Sequence, residues 1–328
     1  MTYRLTRQQA AAADDRGMAN TIGEPAAVPA RGANSPDPLA VKVRGLRKQY
    51  HGKTAVDGID LDIERGEVFA LLGPNGAGKT TTVEILEGHR RRDDGEVSVL
   101  GIDPAGADRA WRARIGIVPQ SDWATGELTV REMVAQYSAY FPRPRDPDEV
   151  IAAVGMTEQA GKRLRRLSGG QRRRVDVAIG IVGSPELLFL DEPTTGFDPQ
   201  ARRQFWELIA GLSHDGTTIL LTTHYLDEAE ALARRVAVLA GGRIAALGTP
   251  ADLGGSADEA TVSWLTPDGT RSVQTTTPTQ FVMQLAGSSE GEIPGLSVTR
   301  PSLEDRYLDL IAAAEEPEPA SGKIGAAR

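Results

Sequence analysis

The sequence predicts an α/β fold, with a sheet core interrupted by an all-α insertion and followed by a small α+β appendage. Three observations predict it. Short apolar runs at 67–72, 115–118, 187–190 and 219–221 alternate with helix-compatible stretches, as buried strands do in α/β proteins. The first run enters Gly-x-x-x-x-Gly-Lys-Thr at 73–80, and a helix-compatible run leaves it at 81–87. A block from 128 to about 166 reads mostly as helix and breaks the alternation.

Composition narrows the function classes. The 328 residues are 40% hydrophobic and 25% charged, enough for one large domain or two smaller ones. A net charge of −8 argues against a nucleic-acid partner, which needs a basic face. With no cysteine, disulfides, thiolate catalysis and Cys-ligated metals are excluded, which fits a cytosolic protein. The four histidines, at 51, 89, 214 and 224, lack metal-ligand spacing. No run of about 18 apolar residues is present, so no spanning helix is expected and any membrane role must come through a partner. The first 30 residues have arginines but no apolar centre, so no secretory signal is expected.

Residues 1–38 are rich in Ala, Asp, Gly and Pro and bury too little to order themselves; a disordered tail is expected, and Met18 is an alternative start. A strand follows at 39–50, with Val41, Val43 and Leu46 between polar neighbours. His51-Gly52-Lys53 is a turn, and 55–63 resumes an alternating pattern that puts Val56, Ile59, Leu61 and Ile63 on one side. Tyr50, ahead of the glycine-rich loop, offers a ring for stacking on a base; a half-buried strand tyrosine is the plainer alternative.

The loop is Gly73-Pro74-Asn75-Gly76-Ala77-Gly78-Lys79-Thr80-Thr81. Its glycines permit a tight turn and let backbone amides approach an anion. The following helix aims its N-terminal N–H groups and positive dipole end at the same anion. Lys79 adds a full charge for β- and γ-phosphates, and the Thr80 hydroxyl is placed to ligate Mg²⁺.

Strands are expected at 95–100 and 115–119, the latter ending at Gln120. Ligands of α/β proteins bind at strand ends, so Gln120 would be in reach of Mg²⁺ or of an attacking water; a loop glutamine without such a role is the plainer alternative. Thr129 and Glu132 have capping-box spacing at the start of an amphipathic helix. Pro142, Pro144 and Pro147 interrupt it, and helix resumes from Asp148.

Leu167-Ser168-Gly169-Gly170-Gln171 opens a helix to about Val182, with Ser168 as N-cap and exposed amides: a second anion site, about 90 residues from the first. On the plainer reading it is a Ser-capped helix, with Arg172 to Arg174 on a solvated face. The apolar strand at 187–190 ends in Asp191-Glu192, carboxylates that are costly there unless a cation compensates them. Asp191 would orient a metal-bound water, and Glu192 would position or deprotonate the attacking water. The strand at 217–222 leads to His224, whose imidazole can contact a γ-phosphate.

In this order, Tyr50, the loop 73–81, Gln120, Leu167 to Gln171, Asp191, Glu192, Asp198 and His224 resemble the ATP-binding-cassette ATPase family over about residues 40–250. Leu-Ser-Gly-Gly-Gln is the most discriminating motif, because the phosphate loop alone says only nucleotide triphosphatase. The resemblance implies ATP and Mg²⁺ as ligands. Tyr50 would stack on adenine, the loop would hold phosphates, and Thr80, Gln120 and Asp191 would serve the metal. Glu192 would be the catalytic carboxylate, His224 the switch histidine, and Asp198 the aspartate that couples two active sites. It also implies a head-to-tail homodimer, in which Ser168 and Gly170 of one subunit close on the ATP of the other. One departure is Phe197, where many relatives have leucine.

Beyond Pro250, strands are expected at 262–265 and 271–275 around the Asp268-Gly269 turn, with a helix at 279–285 and a strand at 296–299. A helix at 302–313 would place Leu303, Tyr307, Leu308 and Ile311 on one face, with Ser302 as N-cap and Asp305 in capping-box position. Residues 300–305 resemble the ending of ATPase subunits of daunorubicin-resistance-type exporters. The chain thus divides into a tail at 1–38, a nucleotide-binding domain at 39–250 with a helical subdomain at about 125–180, a C-terminal α+β domain at 251–314, and a disordered tail at 315–328.

The resemblance implies an ATPase subunit on the inner face of a membrane, docked on a separate permease and driving export of a drug-like or lipid-like molecule. An importer subunit is the nearest alternative. A ribosome- or DNA-acting ATPase is disfavoured by the single cassette, the absence of sustained heptads and the acidic balance.

Overall fold

The computed structural model describes residues 38–120, 126–254, 260–288, 291–299 and 303–315. The tails expected at 1–38 and 315–328 lie almost wholly outside the described residues, as do residues 300–302 of the exporter-like motif and the expected Ser302 cap.

Two antiparallel strands come first, β1 (Leu39–Tyr50) and β2 (Lys53–Glu64). Val56 and Ile59 are three apart yet both fully buried, because the register shifts at Gly58, which takes a φ of +76°. Strand β4 (Asp94–Val99) adds to the other edge of β1, giving the order β2-β1-β4.

The main sheet has the order β5-β6-β7-β3-β8-β9. Its members are β3 (Val68–Leu72), β5 (Ile115–Val118), β6 (Leu187–Asp191), β7 (Thr218–Thr223), β8 (Arg235–Ala240) and β9 (Arg243–Gly248). All pairs are parallel except β8 with β9. The strands alternate between two cores. Val68, Ala70, Leu72, Leu188, Leu190, Ile219 and Leu221 face one; Phe69, Leu71, Leu187, Phe189, Leu220 and Ala237 face the other. Burial on both faces explains why these strands read as unbroken apolar runs.

The second core is closed by the β2-β1-β4 sheet and by α1 (Lys79–Leu86). The first is closed by α5 (Gly169–Ile181), α6 (Pro199–His214), α7 (Leu226–Leu232) and the insertion. A short α2 (Arg109–Arg112) buries Trp111, whose indole N–H donates to the Val99 carbonyl at 2.9 Å.

The insertion is less helical than the sequence suggests. It holds α3 (Val130–Ser138), opened by the expected Thr129–Glu132 capping box, and α4 (Pro147–Ala153). The second helix starts one residue before Asp148, with Asp146 as its cap. Gly155 then turns the chain with a φ of +67°, and only single 3-10 turns follow at Thr157–Gln159 and Leu164–Arg166. Leu164 N–H instead reaches back to the Leu128 carbonyl at 2.9 Å.

The C-terminal part contains α8 (Pro250–Leu253), β10 (Ala260–Thr266), β11 (Gly269–Thr275), α9 (Pro278–Gly287), β12 (Ser297–Thr299) and α10 (Leu303–Glu315). The expected hairpin at Asp268-Gly269 forms, and the sheet order is β11-β10-β12. Helix α10 packs against β8, β9 and α8, and Tyr307, Leu310 and Ile311 lie on the first core. The expected apolar face is therefore corrected at one position: Leu310 faces the core, and Leu308 is 60% exposed. The helical spacing 303, 307, 310, 311 leaves residue 308 on the outer side.

Candidate nucleotide site

The parallel topology gathers the motifs. Strands β5, β6, β7 and β3 are neighbours, and their carboxyl ends carry Gln120, Asp191-Glu192, His224 and the glycine-rich loop. Side chains 32 to 113 residues apart in sequence thus meet at one edge, where an α/β sheet opens its crevice.

A cavity of 520 Å³ opens there, lined by Tyr50, Lys53, Ala55, Asn75, Gly76, Gly78, Lys79, Thr80, Thr81, Gln120 and Glu192. The lining is mainly polar, as a phosphate site requires. Lys53 and Ala55 are additions that the sequence did not single out.

Two of the loop glycines have a steric origin beyond access to an anion. A Cβ at Gly73 would come within 2.4 Å of the Leu239 carbonyl oxygen, and one at Gly78 within 2.3 Å of the Ala55 carbonyl oxygen. Gly78 also has a φ of +104°. The loop is thereby seated against β8 and β2. Pro74 accepts from Ala77 N–H at 3.2 Å, closing the turn. Lys79 is only 5% exposed; its Nζ donates to the carbonyls of Gly73 at 2.8 Å and Pro74 at 3.2 Å, and lies 3.6 Å from Glu192 Oε1.

Four groups converge on Glu192. Gln120 Nε2 donates to Oε2 at 3.2 Å, Thr195 Oγ1 donates to it at 3.4 Å, and His224 Nδ1 lies 3.3 Å from it, with Lys79 on Oε1. The Glu192 backbone holds a φ of +43°, rare for a residue with a Cβ. Its N–H donates to the Thr222 carbonyl and to Thr222 Oγ1, both at 3.1 Å. The same Thr222 hydroxyl donates to Asp191. One buried threonine therefore holds the Asp191 carboxylate and the Glu192 backbone. Burial pushes the Asp191 carboxyl above its ordinary range against the pull of Thr222, and the neighbouring Glu192 charge adds to the rise.

Thr80, Gln120 and Asp191 offer hydroxyl, amide and carboxylate oxygens, the donor set of a hard cation. The raised Asp191 is a carboxylate that an added cation would favour in its charged form. Among the described residues no group of three His, Asp or Glu side chains is arranged to hold a metal alone.

Tyr50 stands at the rim, half-buried, with Lys48 Nζ 5.4 Å and Arg90 Cζ 5.2 Å from its ring centroid.

The Ser168 turn, the second expected anion site, lies elsewhere. Ser168 accepts from Gln171 N–H at 3.2 Å and Gln171 Oε1 accepts from Ser168 N–H at 3.1 Å, a complete capping box. Leu167 is buried beneath the turn. Ser168 and Gly169 are exposed, and none of residues 167–171 lines the cavity. Asp198 caps α6 by accepting from Ala201 N–H at 2.8 Å, and Phe197 packs edge-on against Phe205 at 5.7 Å. The bulky apolar residue before Asp198 thus has a packing partner.

The solvated face of Arg172 to Arg174 is corrected at its middle member. Arg173 is 3% exposed, with its guanidinium against backbone carbonyls of the loops after β5 and β6.

A family model for the ABC transporter domain matches residues 56–195. The daunorubicin/doxorubicin resistance ATP-binding protein DrrA of Streptomyces peucetius is 43% identical over 225 residues, covering 67% of this chain and 68% of that protein. The Nod factor export ATP-binding protein I of Neorhizobium galegae is 42% identical, covering 67% of this chain and 65% of that one. Among solved structures, cbiO1 from Clostridium perfringens, part of the ABC transporter complex cbiONQ, superposes with a TM-score of 0.62 at 30% identity, covering 66% of this chain and 91% of that one. MJ0796, solved as a dimer bound to ADP and Pi, shares the fold with a TM-score of 0.58 at 24% identity, covering 64% of this chain and 98% of that one. With the nucleotide motifs assembled at adjoining strand ends and this identity across two thirds of DrrA, the chain belongs to the ABC transporter ATP-binding proteins and is an ATPase.

Proposed function

We propose that the chain is the ATP-hydrolysing subunit of an exporter, acting as a homodimer on a separate multi-spanning permease at the inner face of the membrane. The observation that carries the dimer is the division of the site: the cavity holds phosphate loop, Gln120 and Glu192, whereas the exposed Ser168 turn lies outside it. A second copy related by a two-fold axis would bring its Ser168, Gly169 and Gly170 amides to the open side of the nucleotide. The cassette spans 39–250, with the helical subdomain at about 125–180 presenting that turn; 251–314 is an appendage whose last helix braces β8 and β9.

In this reading Tyr50 stacks on the adenine and residues 73–81 wrap the phosphates. Lys79 exchanges its contacts with Gly73 and Pro74 for phosphate oxygens. Thr80, Gln120 and Asp191 would hold Mg²⁺, which on binding supplies neutralisation of charge on the β- and γ-phosphate oxygens. Glu192 orients a water and accepts its proton, and Gln120 and His224 fix where the carboxylate points. Asp198 links the two sites across the dimer. The exporter assignment rests on the two relatives, one named for resistance and one for export, and implies a drug-like or lipid-like cargo. No helix among the described residues is long and apolar enough to cross a membrane, so the path for the cargo lies on the partner. The net charge of −8 supports a role without nucleic acid.

The test is Glu192→Gln. Steady-state hydrolysis should fall about 100- to 1000-fold, the scale of losing a positioned catalytic group. ATP binding should persist, and ATP should trap a dimer visible by size-exclusion chromatography with light scattering. Near-normal turnover would remove Glu192 from the mechanism, and a variant that stays monomeric with saturating ATP would remove the shared site.

A further inference from the structure

Arg173 is a buried charge that the proposed chemistry does not use. It sits five residues after Ser168, on the first turns of α5, and is 3% exposed. Its guanidinium donates from Nε to the Pro193 carbonyl at 3.1 Å, from Nη2 to the Asp191 carbonyl at 2.9 Å, and from Nη1 to the Pro119 carbonyl. These acceptors are not scattered. Pro119 immediately precedes Gln120, and Asp191 and Pro193 flank Glu192. A single planar fork thus grips the backbone beside both side chains that meet at 3.2 Å in the site.

We propose that Arg173 is a positioning residue: it holds the Gln120 and Glu192 loops in register with each other and ties both to the helix that carries the Ser168 turn. Three features support this. First, the Glu192 φ of +43° persists only if its surroundings over-determine it, and Arg173 holds the carbonyl on each side of that residue. Second, the ladder between β5 and β6 ends at Val118 and Leu190, so beyond it the two loops are not paired to each other, although β7 still holds Asp191 and the Glu192 N–H. The guanidinium bridges the two loops past that point. Third, α5 begins at the exposed turn and is buried from Val175 onward, so a displacement of its first turn moves the guanidinium and, through it, both loops. A nucleotide-bridged partner pressing on Ser168 would then adjust the Gln120–Glu192 contact in the subunit that receives the pressure. The last consequence rests on the shared-site reading given above; the register role does not.

The experiment compares Arg173→Lys, Gln120→Ala, Glu192→Gln and the double variant Arg173→Lys/Gln120→Ala. Lysine keeps the charge but cannot reach three carbonyls in a fixed fork. The single Arg173→Lys change should lower kcat about 10- to 100-fold, as a small misplacement of catalytic groups does. The Kd for a fluorescent ATP analogue should change by less than about 3-fold, because the phosphate loop has none of the affected carbonyls. If Arg173 acts through Gln120, the double variant should lose clearly less than the product of the two single losses. A wild-type kcat in Arg173→Lys, strictly multiplicative losses, or a Kd that rises in step with the fall in kcat would each overturn the proposal. Thermal melting separates misfolding from mispositioning, since the binding-competent variant must still unfold cooperatively. If Gln120→Ala and Glu192→Gln themselves leave hydrolysis intact, the assignment of the site fails instead, and the two failures are told apart.

Discussion

The chain has two helix starts of the kind that can receive an anion, and they stand in opposite surroundings. At α1, the loop 73–80 is locked against the Ala55 and Leu239 carbonyls, Lys79 is buried, and Gln120 and Glu192 wall the opposite side. At α5, the Ser168 turn satisfies itself with a capping box and faces outward. Both aim backbone N–H groups and a positive dipole end at a charge. Only the first has groups around it able to hold a nucleotide and act on it. On the proposed reading, the Ser168 turn of one copy would complete the phosphate enclosure of another.

The largest effect that tests this contrast is at the first helix. Lys79→Ala should weaken ATP binding by about 10- to 100-fold, since a charge-assisted contact is worth about 1.5–3 kcal/mol. Unchanged affinity by titration calorimetry would contradict it. At the second helix, Ser168→Arg should spare binding yet lower hydrolysis by about 10-fold or more, as removal of a transition-state contact does. Mixing the two variants should restore roughly a quarter of the wild-type rate, since half of randomly paired dimers keep one intact site. A mixture as inactive as its components would show that the two helices never meet across subunits.

A smaller effect concerns Glu87, at the end of α1. Burial pushes its carboxyl up to about 8, with the charges of Asp191 and Glu84 adding to the rise. Between the unfolded value of about 4.3 and about 8, the folded chain keeps a proton that the unfolded chain has released. Stability therefore falls as pH rises through that window and levels off above it. Glu87→Gln removes this titration, so its Tm advantage over the wild type should widen by a few degrees between pH 5 and pH 8. A constant difference would place the Glu87 carboxyl in the ordinary range. The smallest effect is expected at the outer side of α10. Leu308→Ala, at an exposed position, should change stability by less than about 0.5 kcal/mol, whereas Leu303→Ala, with Leu303 at 2% exposure, should cost about 2–3 kcal/mol by chemical denaturation. Equal losses would reverse the assigned faces of the helix.

Much of this architecture was legible because its signals are local. Alternation and apolar runs located β1 to β7 but not β8 and β9, Thr129–Glu132 and Ser168 marked two helix starts, and Asp268-Gly269 marked a hairpin. The insertion was over-read as helix because its apolar spacing continues beyond Val154, whereas Gly155 at positive φ ends the helix there. Leu308 was placed inward because spacing alone cannot say which apolar residues of a short helix meet a neighbour. Arg173 was invisible for a different reason. Inside a run of three arginines it looks like a solvated face, and its acceptors are carbonyls 20 and 54 residues away, which carry no side-chain signature.

The sequence by itself determined which residues are proposed for the chemistry: glycines, Lys79 and Thr80 for phosphate and cation, two acids at one strand end, a histidine at the next. Those needs are met by residue type and short spacing, so they survive in one dimension. The tertiary structure alone decided which groups meet. The order β5-β6-β7-β3 brings Gln120, Glu192, His224 and Lys79 together, and the Ser168 turn is left outside the cavity they share. Strand order and burial are set by packing summed over the whole core, and no short stretch of chain contains that sum.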